Sequence, residues 1–536
     1  MKKKRLYIKD WLKLKPYNTP TLTDRYYLDL CNKVNDVLLK KYNHLLTNYL
    51  DKEFVRMFPC FLVSYFEDIV SETHIWSGFL STYKSMYNKA FPFYDPIEYY
   101  EDEINEVDIV FLLWYFFNTA QNSSFIHPYN RFMYDMAADI YQIFDEAYEY
   151  APENKVLKKY YSLAEDETDY YVARNLINTI LFNTYLFYPD TAYDLIDNIT
   201  HIIENSKHEP KNILEGMINE TEDGLLHSTH TRLLSLKGNE WAAKILGESH
   251  PLSKDFLQMS KKIFGLFLYK GQDEANVSLE HIASGKLFKM TKKSFDYYDD
   301  LDEDKILIIG LVKWQGEWWF SGSYTQIPYK PEIISDEKNA IEHKMQAAYL
   351  DGKIPKEVKQ ELQMQLKAFK EFNDGFPIAF MPSDQIDGYV EKFMSYYNQS
   401  LNLTEKEKKQ TLKKLKNKGL VKWEDDETQN FSDIADTGLV FFNPNRGLEV
   451  AFSINSAFPF PNNRYYKEEK SKEHVTRLLF SDSFSPELAK FCVDNCKDKL
   501  DFFKSPIGET IYDNLDFFLR FWKKDNYHSV PLVINL

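Results

Sequence analysis

Asp197, His201, Glu204 and His208 stand four, three and four residues apart. That spacing lines side chains along one helical row and could present carboxylates and imidazoles to a metal. Two observations weigh against this chemistry. Leu195, Ile196, Ile199, Ile202 and Ile203 make the opposite face, so the row reads as the polar side of an amphipathic helix. A row of this length also spreads its ends too far for one ion. His227 and His230, in HSTH, follow Glu222 and Asp223 without a paired carboxylate motif. Glu67, Asp68, Glu72 and His74, in YFEDIVSETHIW, lack the Glu-x-x-His spacing of di-iron bundles. The acids of Asp102–Asp108 read as a helix N-terminus favoured by the dipole. No residue is therefore assigned to a metal, and no cofactor is expected.

Nucleophile and phosphate motifs are missing as well. The chain has no Gly-x-Ser-x-Gly elbow, no Walker-type loop and no dinucleotide glycine fingerprint. Cys31, Cys60, Cys492 and Cys496 are too few for a disulfide scaffold and read as buried thiols. No catalytic residue is named, and the balance leans away from an enzyme.

The elements that carry these residues fall into several units, because 536 residues exceed one simple core. Aromatics reach 16%, with 40 Phe and 38 Tyr, so the interior is expected to be rich in rings. The net charge of −16 disfavours general binding to phosphate backbones. The apolar run Ile109–Phe117 is too short to span a bilayer. These features predict a soluble, cytoplasmic protein without membrane contact.

The expected fold class is α+β and multidomain. Residues 1–240 show helical spacing and predict a large aromatic-rich α-helical domain. Residues 256–331 carry short apolar stretches between turns and predict a small antiparallel β-sheet or barrel. Residues 335–400 read as a helical connector, and 401–536 as an α+β C-terminal domain. Within the last, Asn443–Gly447 predicts a hairpin turn and Ser485-Pro486 a helix start.

GLVKW occurs at Gly310–Trp314 and again at Gly419–Trp423, but the flanks share nothing and an internal repeat is rejected. In the first copy, a turn at Gln315–Gly316 pairs Trp314 with Glu317, Val312 with Trp319 and Leu311 with Phe320. Leu307, Ile309, Leu311, Trp318, Phe320 and Tyr324 then share a core face. Trp314 and Trp319 lie on the other, beside small residues. That second face is either a docking platform for a protein partner or a surface covered by packing.

The second copy follows a lysine-rich helix within 404–423. Lys413, Lys414 and Lys416 are its candidate nucleic-acid contacts, in an order of elements that resembles a winged helix. Interspersed Glu405 and Glu407 and the absence of Arg favour a solvated helix instead.

Three stretches, IKDWLKLKPYNTPTLTDRYYLDLCNKV, CFLVSYFEDIVSETHIW and DEINEVDIVFLLWYFFN, resemble an uncharacterised Bacteroidetes family of unknown function. The resemblance extends over most of the chain and implies a bacterial protein of several domains. It brings no activity and no catalytic residues. The leading expectation is a non-enzymatic intracellular interaction or scaffold protein with an unidentified protein partner. The alternatives are a nucleic-acid- or ribosome-associated protein using 404–423, and a metal-dependent enzyme of unknown reaction.

Overall fold

The computed structural model describes residues 5–121, 125–401, 431–528 and 531. The chain forms two compact units, Met1–Met259 and Ser260–Leu536. Lys413, Lys414, Lys416 and the second GLVKW copy lie outside the described residues.

The first unit is helical. Helix Glu106–Ala120 is its central element and is buried continuously from Asp108 to Thr119. Its apolar residues run all round the helix, so it has no face suited to water. Helix Lys52–Ser71 packs against it through rings: Phe58 and Phe61 lie 4.7 and 4.9 Å from Phe116. Helices Asp24–Lys41, Ile75–Tyr87, Arg131–Tyr148 and Tyr170–Asn183 complete this core. Most of these ring pairs are tilted or edge-to-face, the arrangements that the ring quadrupole favours.

The second unit begins with a five-stranded closed barrel. Its strands are β1 (Ile263–Gln272), β2 (Asn276–His281), β3 (Leu287–Thr291), β4 (Lys305–Trp314) and β5 (Glu317–Pro328). β1 pairs antiparallel with both β2 and β4, giving the spatial order 4-1-2-3 of a Greek key. β5 closes the ring by pairing antiparallel with β4 and parallel with β3. The barrel is thus mixed, not purely antiparallel. Ala347 and Leu350 join the core formed by the inward-facing strand residues.

The β4–β5 hairpin has the register its period-two pattern predicts, with Trp314 opposite Glu317 and Val312 opposite Trp319. Gln315 and Gly316 both take positive φ, as a two-residue hairpin turn of the primed type requires. The register shifts between Ile309 and Leu311, where β5 carries extra residues at Ser321–Ser323. Gly310 sits at that bulge because a Cβ there would lie 2.4 Å from the Ser321 carbonyl oxygen. The glycine of the first GLVKW copy is therefore demanded by a close backbone approach.

A second sheet has the order β6-β7-β8, with β6 (Ile378–Pro382), β7 (Thr437–Asn443) and β8 (Gly447–Phe452). Helices Lys356–Phe372 and Ile386–Ser400 pack on it through Phe369, Phe393 and Tyr397. Helix Pro486–Cys496 starts where expected, with the Ser485 hydroxyl accepting from the Leu488 amide at 3.1 Å. It ends at Cys496 and gives way to short 3₁₀ turns. All four cysteines are buried and free. Among the described residues no helix is long and apolar enough to cross a membrane.

Candidate functional site

The residues with metal-like spacing do not converge. Helix Tyr193–Asn205 ends before His208, so the fourth member of the row leaves the helix. Asp197, His201, Glu204 and His208 are all exposed. The His201 ring is engaged instead by the Asn205 amide, one turn on. Among the described residues no group of three or more His, Cys, Asp or Glu side chains could hold a metal ion.

His227 and His230 have structural partners. Helix Tyr170–Asn183 presents Tyr170, Arg174 and Asn178, spaced one turn apart, to helix Lys211–Ser228. The Tyr170 hydroxyl and His227 Nε2 are 2.8 Å apart. Arg174 Nε donates to Asp223 at 2.6 Å, and Asn178 donates to Glu222 at 2.7 Å. His230 is buried and its backbone bridges to Lys237. This polar seam fixes the C-terminal end of helix Lys211–Ser228.

Away from the seam, that helix and helix Tyr193–Asn205 pack together as an antiparallel hairpin joined through residues 206–210. The isoleucine face opposite the polar row is only partly covered. Ile196 is 46% exposed, Ile203 43%, Ile213 46% and Met217 39%. The hairpin also exposes Asp194, Asp197, Glu204, Glu209 and Glu215, against Lys207 and Lys211. It therefore exposes apolar and acidic side chains together.

The two indoles singled out by the first GLVKW copy share the face opposite the barrel core, as their register dictates. Trp314 is fully buried and Trp319 is 5% exposed. Both indoles are covered rather than open to solvent.

The sequence reading missed a set of buried carboxylates. Glu67 is wholly buried and pairs with Lys15. Lys15 also donates to Ser64 at 3.1 Å and lies 3.7 Å from the centre of the Trp11 ring. Asn154 links Glu67 to Tyr17, and Tyr17 and Trp11 both donate to Asp24. Asp68 accepts from the Thr73 hydroxyl, the amides of Ile75 and Trp76, and the Tyr185 hydroxyl. It thereby serves the N-terminus of helix Ile75–Tyr87, whose preceding residue, His74, takes a left-handed conformation. Burial pushes the carboxyls of Glu67 and Asp68 upward.

Asp108 lies in the first turn of helix Glu106–Ala120, as the sequence reading of these acids expects. It is fully buried and accepts from Tyr65 and, at 3.0 Å, from Tyr99. Burial pushes its pKa up to about 7, although the two tyrosines and Asn105 oppose the shift. The folded chain then holds a proton that the unfolded chain releases. Stability from this group is full below an unfolded pKa of about 4 and is lost as pH rises to about 7. Asp108→Asn removes this dependence. Between pH 4 and 8 the variant is expected to gain on the parent by an amount on the order of 3 kcal/mol. Urea denaturation of the helical unit at both pH values measures this, and parallel pH dependences of parent and variant would refute it.

Among the described residues of the second unit, one amine is fully buried. Lys523 donates to the Ser481 carbonyl, and burial pushes its pKa down to about 7.

The buried polar groups fall within the three stretches on which the family resemblance rests. Trp11, Lys15, Tyr17 and Asp24 belong to the first, Glu67, Asp68, Thr73 and Trp76 to the second, and Asn105, Asp108 and Trp114 to the third. No curated protein and no solved structure matches the chain. A family model described as "Protein of unknown function (DUF3843)" matches residues 5–309, which span the helical unit, β1 to β3 and half of β4. The chain belongs to that family of proteins of unknown function.

Proposed function

We propose that this is a non-enzymatic interaction protein whose helical unit receives a basic amphipathic helix of a partner protein. The observation that carries this reading is the exposure of Ile196, Ile203, Ile213 and Met217 on an acidic helical hairpin. Exposed apolar side chains grouped on one element and rimmed by charge are characteristic of docking surfaces. The excess of exposed acids selects a cationic partner and opposes pairing of the hairpin with its own copy. The polar seam at Tyr170, Arg174 and Asn178 supports the reading, because it presents the hairpin from a fixed base. A bacterial, cytoplasmic setting accompanies this proposal and rests on the sequence resemblance and composition.

Fluorescence anisotropy with a labelled amphipathic helix of leucine and lysine faces tests it, with a leucine/glutamate helix as control. The lysine peptide is expected to bind the full chain and the control is not. Ile203→Asp with Met217→Asp should weaken binding about tenfold or more, since each substitution removes apolar contact worth over 1 kcal/mol. Unchanged affinity in that variant, or equal binding of both peptides, would refute the proposal. So would light scattering that shows a dimer dissociated by the same substitutions, because the face would then be occupied by a second copy.

A further inference from the structure

We infer that the C-terminal part of the second unit holds a binding site for a small organic anion: one carboxylate or phosphate on a flat apolar body. The site is a cavity of ≈ 270 Å³. Lys472, Lys499 and Ser471 line one part of it, and Tyr466, Phe502 and Ile507 supply apolar walls.

Two features point to an anionic group. Lys472 and Lys499 are exposed, and neither forms an ion pair with a described residue. Ser471 is only 9% exposed, yet its hydroxyl has no hydrogen-bond partner among the described residues. A hydroxyl that lines a cavity without a protein partner can bond a ligand there.

The apolar side is held rigidly. The Ser505 hydroxyl accepts from the Gly508 amide at 3.1 Å and donates to the Phe502 carbonyl at 2.6 Å. A Cβ on Gly508 would lie 2.0 Å from that carbonyl oxygen, so the two segments touch through backbone. Phe502 is thereby fixed against the start of helix Pro506–Asp513. Two acids also line the cavity. Asp501 is paired with Lys504 at 2.7 Å, whereas Glu468 makes no ion pair with a described residue. A bound anion therefore meets two available lysines and one opposing carboxylate.

Calorimetric titration of the full chain with phenyl phosphate, benzoate and inorganic phosphate tests the site. Phenyl phosphate or benzoate is expected to bind about tenfold tighter than inorganic phosphate, because only these use the apolar walls. Lys499→Glu, at an exposed position, should weaken that binding by about tenfold or more. Ser471→Ala should weaken it several-fold with an unchanged thermal melt. Glu468→Gln should tighten it. The inference falls if no saturable binding occurs, or if inorganic phosphate binds as well as phenyl phosphate. It also falls if Lys499→Glu binds like the parent, or if Glu468→Gln weakens binding, which would indicate a ligand carrying its own cation.

Discussion

Replacing Lys15 by Met is expected to destabilise the helical unit by about 3–5 kcal/mol, the scale set by removing one partner of a buried ion pair. Lys15 and Glu67 both have essentially no solvent access. The loss therefore strands Glu67 where water cannot solvate it, with Asn154 as its remaining polar contact. The substitution also removes the ammonium from the Trp11 ring and from Ser64. What remains of the N-terminal anchor is the set of hydrogen bonds that Trp11 and Tyr17 make to Asp24.

The effect has a pH signature with a definite sign. Burial already raises the Glu67 carboxyl, and Lys15 is the main influence holding it down. Without the lysine, the carboxyl rises further and the folded chain takes up a proton. Stability of the variant is then retained at acidic pH and lost as pH rises, over a wider window than in the parent. Glu67→Gln in the Lys15→Met background should restore most of the lost stability, because no charge is then buried alone. The chain has two units, so unfolding of the whole need not be two-state. Hydrogen exchange of helices Asp24–Lys41 and Lys52–Ser71 is the appropriate readout. A cost below about 1 kcal/mol for Lys15→Met, or no recovery in the double variant, would show that the pair does not hold the anchor in place.

How much of this was legible beforehand depends on how local the determining contacts are. The β4–β5 hairpin could be read because Gln315–Gly316 and alternating side chains fix the register within a few residues. Closure of the barrel could not, since β1 meets β4 and β3 meets β5 only through the folded topology. Asp108 reads as an acid at a helix start and is one, but its burial was not legible. Its burial depends on Tyr65, a residue of another helix that no periodicity links to it. Helix Tyr193–Asn205 was correctly amphipathic, but amphipathicity predicts a face and not what covers it, and Ile196 and Ile203 stay exposed. The cavity lay beyond reach for the same reason. Its lining runs from Tyr466 to Ile507 through three separate segments, and none carries a recognisable motif.

The two indoles of the first GLVKW hairpin offer the second large effect. Trp319→Ala is expected to cost about 3–5 kcal/mol, as truncations of large buried aromatics do. The nearly complete burial of Trp319 is the reason, and Val312, its cross-strand neighbour, is buried as well. Phe320 is the internal comparison. It faces the barrel core but is only partly buried there. Phe320→Ala should therefore cost no more than Trp319→Ala, even though Phe320 belongs to the conventional interior. A residue on the outside of a barrel that matters as much as one on the inside indicates that the outer face is itself a packed layer. Hydrogen exchange across β4 and β5 separates the cases in the full chain, with a thermal melt as the global check. If Trp319→Ala leaves exchange and melt within error of the parent, the indole does not contribute to the fold. The face would then have to open to solvent, as a docking surface requires. Loss of protection in both strands, at least as large as for Phe320→Ala, places Trp319 in the structural core of the second unit.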